Sequence, residues 1–589
     1  MSDPQPVLEF LRARVEGRNE WMLTGEGALP GVRATRISST TLESLPVNRR
    51  EVAVHVERVM AALERYGSRR VATPGGAGWL YVQHVPVRRL VTQLVLKLLA
   101  LGSWEPFMRS PGPLKPLVHQ ELIGLRESSA QEYQSFTVTW SGVAYVLGAE
   151  AAHNPLLPEN SPTPPRRSSK SAQVAAHLRS AGVVAVSWSS RHWRTLLPVL
   201  QVLGRDGHRC VLVDLASDPA EQCPGPLPWG VTVVTAPAAL FAGPSTPAIR
   251  NAPFGQGSST VAVGMHTLHL SRVEQLALAL VDRAGGCTQP SWDAVVHIER
   301  WLDGILHAVR PHTVVVSNDT SPLGALAVHI AQHHAMNTVY VQHGAWSAER
   351  VSWPALHSRH IVVMGDRDAD LAAGWARHPR AEVHVLGQPR FDTLGQLDRD
   401  AQRRYLHRLI STQGIVVWAC QPFSQERLAA HAELLLEGLR RTPGSWGLVV
   451  APHPAQNADA FRHLLCKGGS PQVAVADPRL GARGCLAGAD ALASAYSTCG
   501  IEAALLEVPV LEIGAPAENT LGLASYGLAH RCTTPDQVSA ALTAPVPPPG
   551  PATDSVCRWR GTSAYDIAQL ILAQAPAHYY APGKGAVLR

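Results

Sequence analysis

TVVVSNDTSPLGALAVHIAQHHAMNTVYVQHG, Thr313 to Gly344, reads as a β-branched run, a helical stretch from Leu323 to His334 and a second β-branched run. The two runs are apolar without alternation, which suits strands covered on both faces, and a helix between them is the crossover that a parallel pair needs. The same texture extends outward on both sides. Before it come VVAVSW (Val183 to Trp188), CVLVDL (Cys210 to Leu215) and VTVVTA (Val231 to Ala236), and after it HIVVMGD (His360 to Asp366). Strands alternating with helices in this way predict a doubly wound α/β domain.

A second series follows a polar helical stretch, Asp400 to Ile410. It comprises GIVVWACQP (Gly414 to Pro422), a helix over about Ser424 to Arg440, WGLVVAPHP (Trp446 to Pro454), ALASAYST (Ala491 to Thr498) with a helix to Leu506, VPVLEIG, and a strand-like piece at Leu528 to Cys532. Upstream, residues to about 156 have helical apolar spacing in Val7 to Val15, Val52 to Tyr66, Val87 to Leu101 and Leu117 to Leu125. LPENSPTPPRRSSKSA, ending at Ala172, offers nothing to bury and reads as a linker. The expected organisation is a mainly helical region at 1–156, a linker at 157–172, Rossmann-like domains at 173–395 and 396–560, and a helix and tail at 561–589. The helix expected at Ala564 to Ala573 is placed to pack back across the first sheet domain. Two facing sheet domains put a cleft between the carboxyl ends of their strands, where α/β proteins hold ligands.

Composition narrows the function classes. The chain has 589 residues, a formal charge of +6, 46% hydrophobic residues and 17% charged residues, enough apolar material for several buried cores. No basic stretch is interleaved with aromatics, so no nucleic-acid partner is expected. Nine cysteines without a CxxC pair favour reduced thiols and a cytoplasmic setting. The most apolar stretch, Leu90 to Leu101, carries Gln93 and Lys97 and is shorter than the roughly 20 residues of a membrane span. Arg88 and Arg89 beside that stretch suit peripheral contact with the inner face of a membrane, although burial against neighbouring helices is the plainer reading.

P-loop, GxSxG and HExxH patterns are absent, as is a complete GxGxxG fingerprint. His329 and His333 stand four apart on a helix without a third ligand, and among 26 histidines such a pair arises by chance. Neither a metal nor another cofactor is expected.

The chemistry-bearing residues fall at strand ends. His453, presented by the turn that Pro454 fixes, suits donation to a phosphate oxygen. Ser497 and Thr498 open a helix where an anion can be held, and Glu502, one turn on, is placed to accept from ribose hydroxyls; helix capping is the bland alternative. Gln421 and Ser424 mark a second strand-to-helix junction. Arg390 in VLGQPRFD suits either a phosphate or an interdomain salt bridge. In SNDTSP and VQHGAW, Asp319 or His343 is the candidate acceptor of a proton from an attacking hydroxyl.

In this order, a strand ending in SND, one ending in QHG, then GQPRFD, a strand ending in QP, one ending in HP, and S-T-x-x-x-E-A before a Pro-Val strand resemble the motifs of bacterial GT-B-type transferases. The nearest groups are capsule polysaccharide and Kdo transferases, polysialyltransferases and CDP-glycerol glycerophosphotransferases. The resemblance covers Ser317 to Gly514. It implies that His453, Ser497 and Thr498 hold the phosphates of an activated donor, that Glu502 contacts the nucleotide, and that His343 lies near the acceptor as a base. Glycerophosphotransferases show a WHG-type motif with a nearby lysine where this chain has QHG followed by AWSAER, which favours a sugar donor. The expected function is metal-independent transfer from a CMP-, CDP- or UDP-linked sugar to a surface-glycan or lipid-linked acceptor. A nucleotide-sugar epimerase or hydrolase, a CDP-glycerol-type transferase and a non-catalytic nucleotide or glycan sensor are the alternatives on the same fold.

Overall fold

The computed structural model describes residues 13–15, 18–20, 49–67, 71–100, 178, 181–241, 260–264, 266–270, 273–274, 290–346, 355–421, 423, 425–453, 456, 461, 471–516, 518, 520–544 and 551–575. The helices expected before residue 49 and at Leu117 to Leu125, and the linker at 157–172, lie outside them, save that Ala13–Val15 is a short strand paired antiparallel with Arg18–Glu20. The end of the helix expected at Val7 to Val15 is therefore extended instead.

The first sheet has seven strands: β1 (Val183–Ser187), β2 (Cys210–Asp214), β3 (Val231–Thr235), β4 (Thr313–Val316), β5 (Asn337–Val341), β6 (His360–Val363) and β7 (Glu382–Val385). They lie in the order β3-β2-β1-β4-β5-β6-β7 and every pairing is parallel. The second sheet has six: β8 (Gly414–Ala419), β9 (Trp446–Ala451), β10 (Gln472–Val475), β11 (Ala491–Ser494), β12 (Val510–Ile513) and β13 (His530–Cys532), in the order β10-β9-β8-β11-β12-β13 and again all parallel. In both sheets the chain winds outward from the first strand and then restarts on its other side. The point of reversal lies between β1 and β4 in one domain and between β8 and β11 in the other, and there the loops diverge and leave a crevice.

The helices are α1 (Arg49–Gly67), α2 (Trp79–Val82), α3 (His84–Ala100), α4 (Ser190–Arg205), α5 (Trp292–Val309), α6 (Pro322–His333), α7 (Asp366–Trp375), α8 (Arg399–Leu409), α9 (Gln425–Arg441), α10 (Cys499–Leu505), α11 (Pro535–Thr543), α12 (Pro551–Val556) and α13 (Ser563–Ala573). A short antiparallel pair, Thr260–Val263 with His266–His269, was not anticipated.

Alternate residues of the strands feed two cores, as the pleat requires. In the first sheet Val184, Val186, Val211, Val314, Val316 and Ile361 face one layer. Val183, Ala185, Leu212, Val315, Val339 and Val362 face the other, where Leu196, Val199 and Leu203 of α4 meet Ala564, Ile567 and Ile571 of α13. The last described helix of the chain therefore covers the first sheet.

α1, α2 and α3 share a core with the first sheet. Val56, Val59, Trp79, Val87, Val91 and Val95 share one core with Trp188, Val314 and Ile298. Thr73 donates to Glu299 through its hydroxyl, and the Gly75 N–H reaches the same carboxylate at 2.9 Å. Arg88 is buried and paired with Glu57, so the apolar run of α3 is spent on packing wherever its side chains are described. No helix among the described residues is long and apolar enough to cross a membrane.

Between the sheets the chain crosses twice, and both crossings run close to glycines. Gly387 has φ +83, and a Cβ there would stand 2.2 Å from the Arg558 carbonyl oxygen; at Gly365 it would stand 2.5 Å from that of Ser555. A side chain at either position would push the return crossing off the first domain.

Candidate active site

The expected strand-end motifs converge on the two points of reversal. Ser317 to Asp319 follow β4 and Gln342 to Gly344 follow β5 on one side, while Gln421 follows β8, His453 follows β9, and Ser497 and Thr498 follow β11 on the other.

His343 is the best defined of these. Its Nδ1 lies 2.6 Å from the carbonyl oxygen of Ser317. Only an N–H can meet a carbonyl oxygen at that distance, so Nδ1 carries the proton and Nε2 is left as a lone-pair acceptor. Burial, then the charge of Arg191 and, more weakly, that of Arg390 push its pKa down to about 3, while the Ser317 bond opposes the shift. The ring is held edge-on against His192 at 5.0 Å between centroids, and His192 in turn lies 4.2 Å from Trp188 and 3.1 Å from Ser189 Oγ through Nδ1.

Gln342 fixes the loop that carries His343. Its amide Nε2 donates to Asp368 Oδ2 at 2.7 Å and to the Gly344 carbonyl at 3.0 Å, and its Oε1 accepts from the Met364 N–H at 2.8 Å. Gln388 donates to the Gln342 carbonyl at 2.6 Å, which ties the GQPRFD junction to the base of the loop. From the second domain, Thr498 reaches across: its Oγ1 accepts from the Ala345 N–H at 3.1 Å. Arg367 bridges as well, donating to the carbonyls of Leu521 at 3.1 Å and Trp346 at 3.3 Å.

Asp319 is placed elsewhere. It is fully buried, and its Oδ2 accepts from the backbone N–H groups of His357 and Ser358 at 2.9 and 2.7 Å. Burial raises its pKa to about 6 against the lowering effect of those bonds. It anchors the approach to β6 and presents no oxygen to the cleft. Asp392, the last residue of GQPRFD, accepts from the N–H groups of Ser563 and Ala564 at 3.0 and 2.8 Å and so caps α13.

In the second domain, His453 stands at the end of β9, with its pKa pushed to about 4 by burial and then by Arg191, against Glu221. Gln456 ties the two strand ends together, since its Oε1 accepts from the His453 N–H and its Nε2 donates to the Gln421 carbonyl, both at 2.9 Å. Ser497 Oγ accepts from the Cys499 N–H at 3.2 Å, the local capping role, whereas Thr498 makes no capping bond and turns to the first domain instead. Pro454 and Ser424 lie outside the described residues.

Glu502 is 1% exposed and faces two guanidinium groups, Arg390 at 3.8 Å and Arg483 at 3.5 Å. Arg483 also donates to the Arg390 carbonyl at 2.8 Å. The result is an arginine pair held by one buried carboxylate at the seam of the two domains, with Arg390 near enough to His343 to shift it.

Sequence reasoning missed Arg191. It stands at the start of α4, shortly after β1, and its charge lowers the pKa of His192, His343 and His453 alike. The signal was present in SSRH, which follows the VVAVSW strand at the point of reversal. His329, by contrast, meets the Gly75 carbonyl at 3.2 Å and stacks edge-on against Tyr81, which accounts for it without a metal.

The fold is that of an α/β protein with two Rossmann-like, all-parallel sheets. No protein-family model and no curated protein sequence matches the chain. Among solved structures it is similar to a UDP-GlcNAc 2-epimerase from Methanocaldococcus jannaschii, with 11% identity over 66% of this chain and 99% of that one and a TM-score of 0.43. It is also similar to the glycotransferase of kitacinnamycin, at 16% identity over 67% of this chain and 100% of that one with a TM-score of 0.39. The wall teichoic acid polymerase TagF has 10% identity over 78% of this chain and 97% of that one, with a TM-score of 0.36.

Proposed function

We propose that the protein is a metal-independent glycosyltransferase that moves a sugar from a nucleotide-activated donor to a surface-glycan or lipid-linked acceptor, working at the cytoplasmic face of the membrane. The observation that carries this reading is His343 with Nδ1–H committed to Ser317 and Nε2 left as an acceptor, on a loop that meets Thr498 of the second domain, with the charges of Arg191 and Arg390 helping to keep the ring neutral.

In the proposed reaction His343 Nε2 takes the proton from an acceptor hydroxyl as its oxygen attacks the anomeric carbon. The bond between that carbon and the donor phosphate oxygen breaks, and the nucleotide leaves with the electron pair. Arg390, Arg191 and His453 stabilise the negative charge that develops there, with Ser497, Thr498 and the Gln421 strand end lining the donor's phosphates. Glu502 holds Arg390 in position for that task. Thr498 links closure to chemistry, because it joins the donor-side loop to the one that carries the base.

The test is a panel of CMP-, CDP-, UDP- and GDP-linked sugars incubated with the full-length protein, with and without oligosaccharide or lipid-linked acceptors. Acceptor-dependent release of nucleotide supports transfer. Donor consumption or isomerisation at the same rate without acceptor identifies an epimerase or hydrolase, and binding without turnover identifies a sensor.

A further inference from the structure

The first sheet carries a second cluster of chemistry at the end away from the cleft. β6 and β7 pair in parallel, with His360 opposite Glu382 and Val362 opposite His384. Glu382 and His384 are two residues apart and so project from the same face of the edge strand, while His360 projects beside them from β6. His360 and Glu382 begin their strands, and His384 stands two residues further along β7. His360 Nδ1 lies 3.2 Å from His384 Nε2 and 3.6 Å from Glu382 Oε2, and His384 Nε2 lies 3.9 Å from that same oxygen.

We propose that His360 Nδ1, His384 Nε2 and Glu382 Oε2 are the ligands of one borderline divalent transition-metal ion, with zinc the best match. Three atoms separated by these distances have an equidistant point about 2.1 Å from each, the length of a zinc–nitrogen or zinc–carboxylate bond. Two ring nitrogens within hydrogen-bonding distance, with a carboxylate oxygen beside both, are a donor set that imidazole-binding ions take and that magnesium and calcium, which want oxygen, do not. His360 is 1% exposed, whereas Glu382 is 52% exposed. The ion is therefore seated from one side and open on the other, where water completes its coordination. The second carboxylate oxygen of Glu382 has Arg359 3.8 Å away, which orients the carboxylate and also moderates the affinity by charge.

The place in the fold separates this site from the transfer chemistry. A metal here clips the edge strand β7 to β6 at one end, and the other end of β7 runs through Gly387 and Gln388 to Arg390 at the cleft. The ion is a brace on the strand that delivers Arg390.

The full-length protein, stripped with a chelator and dialysed, is titrated with cobalt(II) as an optical probe and then with zinc(II) to displace it. One cobalt per chain is expected above any weak background, lost in His384→Ala and weakened at least tenfold in Glu382→Gln, while His329→Ala retains it. Zinc raises the melting temperature of the wild type and not of His384→Ala. Because Glu382 is exposed, its substitution leaves a folded protein in which the comparison stands even where a histidine variant is unstable. Equal cobalt titrations of wild type, His384→Ala and Glu382→Gln overturn the assignment, as does a wild type that binds nothing tighter than the background.

Discussion

Acidification toward pH 5.5 should strongly destabilise this protein, because it buries neutral histidines. His84, His192, His312 and His357 are each 8% exposed or less. Burial is the first cause that lowers all four, to about 3, well below the ordinary value, about 4 and about 3 respectively. A histidine whose folded pKa is depressed contributes its full stability above the unfolded value near 6.5 and loses it as pH falls toward the folded value. At pH 5.5 each of the four costs about 1.4 kcal/mol, or about 6 kcal/mol together. Asp319 acts in the opposite direction: its raised carboxyl, at about 6, binds a proton in the folded state and returns about 1 kcal/mol at that pH. His343 and His453 add to the loss without a figure, since both are partly open to the cleft. His431, pushed down to about 3 by burial and then by Arg427 and Arg531, acts in the same direction as the other four. The net loss of about 5 kcal/mol is comparable with the whole stability of an ordinary domain.

His84 and His357 lie together where α2 and α3 meet the first sheet, with Tyr81 stacked 4.2 Å from His357. The acid-sensitive seam is therefore the docking of the early helices. Urea unfolding of the full chain at pH 7.5, 6.5, 5.5 and 5.0 measures the effect directly, with tryptophan fluorescence as the probe. Stability that stays flat, or rises, between pH 7 and pH 5.5 refutes the reasoning.

His343→Ala should lower kcat by about 10² to 10⁴-fold while donor binding changes little, because the ring is assigned to the acceptor's proton; unchanged turnover of the best donor refutes that role. Ile567→Ala, a fully buried residue of α13, should cost about 2 to 5 kcal/mol and lower the melting temperature, although the helix lies far along the chain from the sheet it covers. A loss below 1 kcal/mol would mean that α13 contributes little to the first domain.

The parallel sheets were legible because strands buried on both faces need unbroken apolar runs, and runs such as TVVV and GIVVWA carry that requirement in local composition. The strand-end motifs were legible for a related reason. Where a chain leaves a sheet it exposes backbone and polar side chains, so SND, QHG, HP and ST stand out against their flanks. The use made of those residues was not legible. Asp319 and His343 are both polar groups just beyond a strand, yet one is sealed against the His357 and Ser358 N–H groups and the other keeps a nitrogen for the cleft. Glu502 has the spacing of a ribose ligand, and its neighbourhood is two arginines brought from 112 and 19 residues away in number.

By itself the sequence determined the central strands and the helices between them, that the sheets are parallel, and which strand ends carry polar chemistry, since those properties follow from burial pattern and local spacing; the edge strands Glu382–Val385 and Gln472–Val475 and the hairpin at 260–269 carry no such unbroken apolar run. Only the tertiary structure decided that β1 lies beside β4 and β8 beside β11, and so which ends meet. Strand order brought the charge of Arg191 to bear on His343 and His453, while register brought His360 beside Glu382 and His384. Both relate residues distant in the chain, and the free energy that fixes them comes from whole packed layers rather than from the residues that meet.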